Sequence, residues 1–281
     1  MSTNQVKKPR PYWHVDAKWI TGIFLLLLLN ITFLLVWLVQ VTSAKQGINL
    51  LATTLASSFS FESGGLEATQ DIEILQQKID ESPTGAWQPI PGLNILVRQA
   101  DINGKTPREV RLWFFRQMAE PAYYNGSQGL MDLATDDETR TKMEGGLGLL
   151  GVISAATHRK LMIFLVVSGL VTGLFLVLLI FFSHRSGRLG SPGCAIFLAA
   201  IPGLLLFAGL RGWLEKSSQA PPPLEPTILT RYTQLAVDVL PDTLQKAALT
   251  YGILILIGFG LMLIALLGSI FFREHGTKDP S

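Results

Sequence analysis

The stretch WITGIFLLLLLNITFLLVWLVQV, residues 19–41, decides the fold, because its 23 residues include no Asp, Glu, Lys or Arg. As a helix rising 1.5 Å per residue it reaches about 34 Å, enough to cross a hydrocarbon core of about 30 Å. Basic residues ahead of it and the small residues Thr42, Ser43 and Ala44 after it imitate a cleaved signal peptide. Signal h-regions are only about 7 to 15 residues long, so the length reads as an uncleaved anchor.

Outward from that run lie three more of the same character, at residues 161–182, 194–210 and 249–272. The first and last of these reach about 33 and 36 Å, whereas the middle one, near 25 Å, is short. It borrows Gly212, Trp213 and Leu214 at its end, where a Trp commonly lies at headgroup level. Composition agrees: 16% of residues are charged, against about 25% in soluble domains.

Lys and Arg in the short segments set the orientation. Lys7, Lys8, Arg10, Lys18, Arg185, Arg188, Arg273 and Lys278 face only Asp16, Glu274 and Asp279, a sum of +5, whereas residues 43–160 sum to −3. The positive-inside rule then places both termini in the cytoplasm of a plasma (inner) membrane. His158, Arg159 and Lys160 run against the rule at the outer end of the second span and read as a snorkelling cluster.

The expected fold is an all-α membrane protein with four transmembrane helices and a mainly helical extracytoplasmic domain between spans one and two. Its segments are a cytoplasmic tail 1–18, span 19–42, outer domain 43–160, span 161–183 and a short cytoplasmic loop 184–193. Then come span 194–214, an outer loop 215–247 with an amphipathic helix, span 248–272 and a cytoplasmic tail 273–281.

Within the outer domain, Ile48, Leu51, Leu55 and Phe59 recur at helical spacing over residues 43–61, until Ser63, Gly64 and Gly65 break the pattern. Ile72, Leu75 and Ile79 mark a second helix over 69–82. Residues 93–97 form the one plausible strand, without an evident partner, and end near an Asn103-Gly104 turn. Thr106-Pro107-Arg108-Glu109 is a capping box with proline at the first helical position, and the helix is expected to stop at Pro121. Thr135, Asp136, Asp137 and Glu138 cap a further helix leading through Gly145, Gly146, Gly148 and Gly151. After the spacer Pro221-Pro222-Pro223, Ile228, Leu229, Tyr232, Leu235, Ala236, Val239 and Leu240 form one face of an amphipathic helix.

Candidate chemistry is sparse. The spans lack interior ionisable residues, which mark proton relays and ion pathways. The longest cytoplasmic piece, 18 residues, is too short for a kinase, ATPase or DNA-binding domain. Cys194 is the sole cysteine and excludes an internal disulfide. His14, His158, His184 and His275 lie at membrane ends or in tails rather than inside the spans, where paired haem ligands would sit. No enzyme activity, catalytic residue, metal or cofactor is expected, and the only assured partner is the lipid bilayer.

Two features remain. Asn30 and Thr32 are polar at the middle of the first span and read as a hydrogen bond to a neighbouring helix. Gly169 and Gly173 in the second span, and Ala195, Ala199 and Gly203 in the third, lie four apart and read as close helix packing. Pro202 beside Gly203 is expected to kink or loosen the third span.

In span order alone the layout resembles FtsX-type division permeases, a likeness that implies a subunit coupling a cytoplasmic ATPase to outer-wall enzymes; no family is assigned from it. The expected function is that of a non-enzymatic accessory, assembly or partner-recognition component of a membrane complex, meeting a protein and no nucleic acid. The alternative is a transport or permease-type subunit, with Asn30 and the third span lining a path.

Overall fold

In a computed structural model the chain is described at residues 13–59, 69–144, 152–183, 187–219, 236–237 and 239–274. It is almost entirely helical. Helices α1 (Trp13–Val41), α2 (Ala44–Phe59) and α3 (Gln70–Glu81) lead into two short strands, β1 (Ala86–Trp87) and β2 (Val97–Arg98). Then follow α4 (Gln99–Ile102), α5 (Pro107–Asn125), α6 (Ser127–Met131), α7 (Asp137–Glu144), α8 (Ala155–Phe182), α9 (Gly187–Gln219) and α10 (Pro241–Glu274).

Four of these helices carry windows long and apolar enough to cross a membrane: Val15–Val41, Ala155–Phe182, Gly187–Gln219 and Pro241–Ile270. The third is not short. It is a helix of 33 residues that begins at Gly187 and keeps both Pro192 and Pro202 inside it. The extra length comes from residues 187–193, whose Gly, Ser and Pro composition disguises them as a loop, and from residues 215–219 at the other end.

The chain divides into two compact units. The membrane unit comprises Met1–Trp37, Phe164–Leu210 and Leu244–Ser281. Its core gathers Leu25, Leu29, Leu179, Ala195 and Ala199, with Phe33, Phe175 and Ile196 packed against them. Outward-facing Leu, Ile, Val and Phe side chains cover the rest of these helices, as hydrocarbon-facing surface requires.

The second unit, Leu38–Ile163 with Arg211–Thr243, has a core of its own. Ile48, Leu51 and Leu55 of α2 pack among Phe114, Phe115, Met118 and Ala122 of α5, while α3 adds Leu75 and Ile79. Ala52, Ala56 and Ala119 are also buried there, and small residues let the helices approach closely. Each fully buried Leu or Ile contributes about 1.5–3 kcal/mol relative to exposure.

Two local expectations differ in the structure. Helix α5 runs through Pro121 to Asn125. Proline's φ suits a helix, and burial of Ala122 and Tyr123 beyond it offsets the lost backbone hydrogen bond. The strand is reduced to Val97–Arg98 and does have a partner, since Trp87 pairs with Val97 and Ala86 with Arg98. Leu93 instead makes an isolated bridge to Ala134, four residues short of where the ladder begins. The expected glycine-rich stretch at 145–151 and most of the amphipathic helix at 228–240 lie outside the described residues.

Candidate functional site

The cap of α5 forms as the spacing implies, whereas that of α7 falls one residue later than expected, on Asp136 rather than Thr135. Thr106 Oγ1 accepts from the Glu109 amide at 3.3 Å, and the Thr106 amide donates to Glu109 Oε2 at 2.8 Å. The hydrogen bond from the Thr106 amide holds the exposed Glu109 carboxyl below its ordinary range. At α7 the Thr139 amide donates to Asp136 Oδ1 at 2.7 Å. Asp136 thereby caps α7. Among the described residues, no three His, Cys, Asp or Glu come together as a metal-binding group.

The most constrained polar geometry lies where α1 gives way to α2. In an unbroken helix the Thr42 carbonyl would accept the amide four residues on. Here it accepts the Tyr123 hydroxyl from α5 at 2.8 Å. Tyr123 is 2% exposed, and its burial raises the phenol pKa above the ordinary value. The ring lies against Gly47, where an added Cβ would stand 2.9 Å from Tyr123 Cε2 and 3.2 Å from Ile153 Cγ2. Glycine is therefore required on that turn of α2.

The Thr42 side chain ties in a third helix. Its hydroxyl donates to the Leu38 carbonyl at 2.8 Å and lies 3.2 Å from His158 Nδ1 at the start of α8. A hydroxyl has one proton to give. While that proton goes to Leu38, the Thr42 oxygen can only accept from the imidazole.

Inside the membrane unit, the two polar residues of the first span behave differently. Asn30 Nδ2 donates to the Leu26 carbonyl of its own helix at 2.9 Å. Thr32 Oγ1 makes the interhelical contact instead, 2.7 Å from Ser168 Oγ and 2.9 Å from Thr172 Oγ1 of α8. The helix-packing residues also separate. Ala195 and Ala199 are buried in the core, and a Cβ on Gly203 would strike the Tyr251 ring of α10. Gly169 and Gly173 meet no described atom within 4 Å. The face of α8 that packs on α1 runs through Ser168, Thr172 and Leu179, and the two glycines lie one residue round the helix from it.

Sequence reading overlooked a second pair of glycines. A Cβ on Gly193 would stand 2.8 Å from the Gly258 carbonyl oxygen, and one on Gly258 would stand 2.6 Å from the Phe197 amide nitrogen. Backbone meets backbone there, between α9 and α10. Small-residue spacing within each helix was the available signal, but it did not say which small residues face a neighbour.

Four apolar helices and a lipid-compatible surface define a multi-pass integral membrane protein. Compared with known proteins, the chain matches no family model, no curated protein and no solved structure.

Proposed function

We propose that the protein is a non-enzymatic accessory or assembly component of a complex in the plasma (inner) membrane, with both termini cytoplasmic. In this reading the unit formed by Leu38–Ile163 lies outside the cytoplasm and recognises a protein partner. The observation that carries it is the unit's own core of α2, α3 and α5 side chains, with Tyr123 and His158 both meeting Thr42 inside that unit. A folded body with its own core is suited to presenting a surface to another protein. The +5 against −3 charge asymmetry supports the orientation.

A transport role is the competing reading, and it draws less support. The Asn30 amide donates to its own helix and the Thr32 hydroxyl meets α8, so both polar groups have partners within the chain. Purification of the full chain in mild detergent tests the choice. A stoichiometric partner whose cross-links fall within residues 43–160 would sustain the accessory role. A monodisperse chain that moves a solute across liposomes would overturn it.

A further inference from the structure

Three segments far apart in the chain meet at one end of the second unit, all of them within Leu38–Ile163. Thr42 directly follows α1, and its carbonyl accepts the Tyr123 hydroxyl of α5 at 2.8 Å. Its own hydroxyl lies 3.2 Å from His158 Nδ1, near the start of α8. At Gly47 the Tyr123 ring and Ile153 close in together, since a Cβ there would stand 2.9 Å from Tyr123 Cε2 and 3.2 Å from Ile153 Cγ2. Chain continuity sets this junction at a bilayer surface, because one span window ends at Val41 and the next begins at Ala155.

The same segments expose an unusual set of side chains. Tyr124 packs edge-on against Tyr123, with ring centroids 5.1 Å apart, and is 55% exposed; Val152 is 63% exposed. Lys45, Arg159 and Lys160 are exposed as well, and none of them forms a hydrogen bond or ion pair with another described residue. Residues 42–47, 121–126 and 152–160 hold these three cations and no Asp or Glu, a sum of +3. Since residues 43–160 sum to −3, the remainder of the domain carries −6. Glu120, exposed one turn before Tyr124 on α5, is the nearest acidic residue in the sequence. An acid-free end on an otherwise acidic domain, with an aromatic ring and an aliphatic side chain among its cations, matches the headgroup region of a bilayer. Phosphates there complement Lys and Arg, and the layer below them accepts Tyr and Val.

We propose that this end of the second unit docks on the bilayer that the chain spans and binds the phosphates of acidic phospholipids through Lys45, Arg159 and Lys160, with Tyr124 and Val152 seated at headgroup level. The surface continues into lipid-facing α8, where Met162, Ile163 and Phe164 are exposed just after Lys160. The proposal stands apart from the protein partner proposed above and holds in either leaflet.

Native mass spectrometry of the full detergent-solubilised chain, offered equal phosphatidylglycerol and phosphatidylcholine, provides the first test. The wild type should retain phosphatidylglycerol preferentially. Lys45→Gln, Arg159→Gln and Lys160→Gln should each lower that preference about fivefold, the effect of one basic residue near a lipid surface. Lys78→Gln, on α3 outside these segments, should leave it unchanged. Equal retention of both lipids by the wild type would overturn the proposal, as would a preference that survives all three substitutions together or falls equally in Lys78→Gln. A second test reads position. Asn125 is exposed beside Tyr124, so a polarity-sensitive dye on Asn125→Cys, in a Cys194→Ser background, reports on the end of α5. Its emission should shift to the blue when phosphatidylglycerol is added to phosphatidylcholine nanodiscs, and the shift should vanish in Arg159→Gln. Unshifted emission would show that this end stands clear of the acidic headgroups.

Discussion

Tyr123 shows how one hydroxyl can fix a backbone. Tyr123→Phe keeps the ring against Gly47 but leaves the Thr42 carbonyl without its acceptor bond. An orphaned buried acceptor costs about 1–3 kcal/mol. The variant should be destabilised by that amount in chemical denaturation, with faster hydrogen exchange in peptides covering residues 40–50. Unchanged exchange there would show that the hydroxyl contributes nothing to the break between α1 and α2. Glycines give a second contrast. Gly203→Ile drives carbon into the Tyr251 ring, and such overpacking typically costs about 1–3 kcal/mol. Gly173→Ile enters open space and should shift stability by no more than about 0.5 kcal/mol, as surface substitutions usually do. Thermal melts of the two detergent-solubilised variants settle the matter, and equal losses would mean that the Gly173 face is covered.

At the scale of elements, α5 begins on the Thr106 and Glu109 box, and Thr106→Ala should cost about 1 kcal/mol of unfolding free energy. The linked carboxyl has a sign that can be checked. Its folded pKa lies below the ordinary value of 4.5, so its contribution is fully present above that value and is lost as pH falls through the lower folded pKa. A Glu109→Gln variant should therefore differ from the wild type at neutral pH and converge on it in acid. The hydroxyl clasp between α1 and α8 predicts a smaller effect. Thr32→Val should destabilise by about 0.6 kcal/mol, the average for hydrogen bonds between membrane helices, while Asn30→Leu, which breaks only a bond within α1, should change the α1 to α8 contact little. Double-mutant cycles of Thr32 with Thr172 and of Asn30 with Thr172 separate the two.

These elements also mark how far a sequence can be read. Spans are legible because length and hydropathy are local, and the α5 capping box is legible because its partners lie three residues apart, whereas at α7 the cap falls one residue later than the Thr135 spacing suggests. Pro121 misled because proline's cost is local, whereas the burial of Ala122 and Tyr123 that overrides it is tertiary. The Gly169 and Gly173 spacing was visible, but it reports where close approach is allowed, not where it occurs. Tyr123 and Thr42 are separated by 81 residues, so no local period announces their contact.

For the whole molecule, orientation is the property on which the proposed role depends. A reporter fused after Gln128 should give the signal of a non-cytoplasmic compartment, and reporters at either terminus the cytoplasmic one; the reverse pattern would invert every assignment of inside and outside. Gln128 is exposed on α6, so a fusion there need not disturb the core.

The Thr42 carbonyl also has a bearing on the order of synthesis. Its partner hydroxyl is 81 residues downstream. At roughly 5–20 residues per second, the ribosome needs about 4–16 s to supply it. During that interval nothing from α5 holds α1 and α2 apart, and Thr42 is free to accept the Gln46 amide and continue a single helix out of the membrane. The break is thus a late event in biogenesis, made when α5 docks. Ser43→Cys in ribosome-arrested chains would report it: thiol labelling should change between chains stopped before Tyr123 and chains long enough to expose all of α5, and constant labelling would show that the break forms without it.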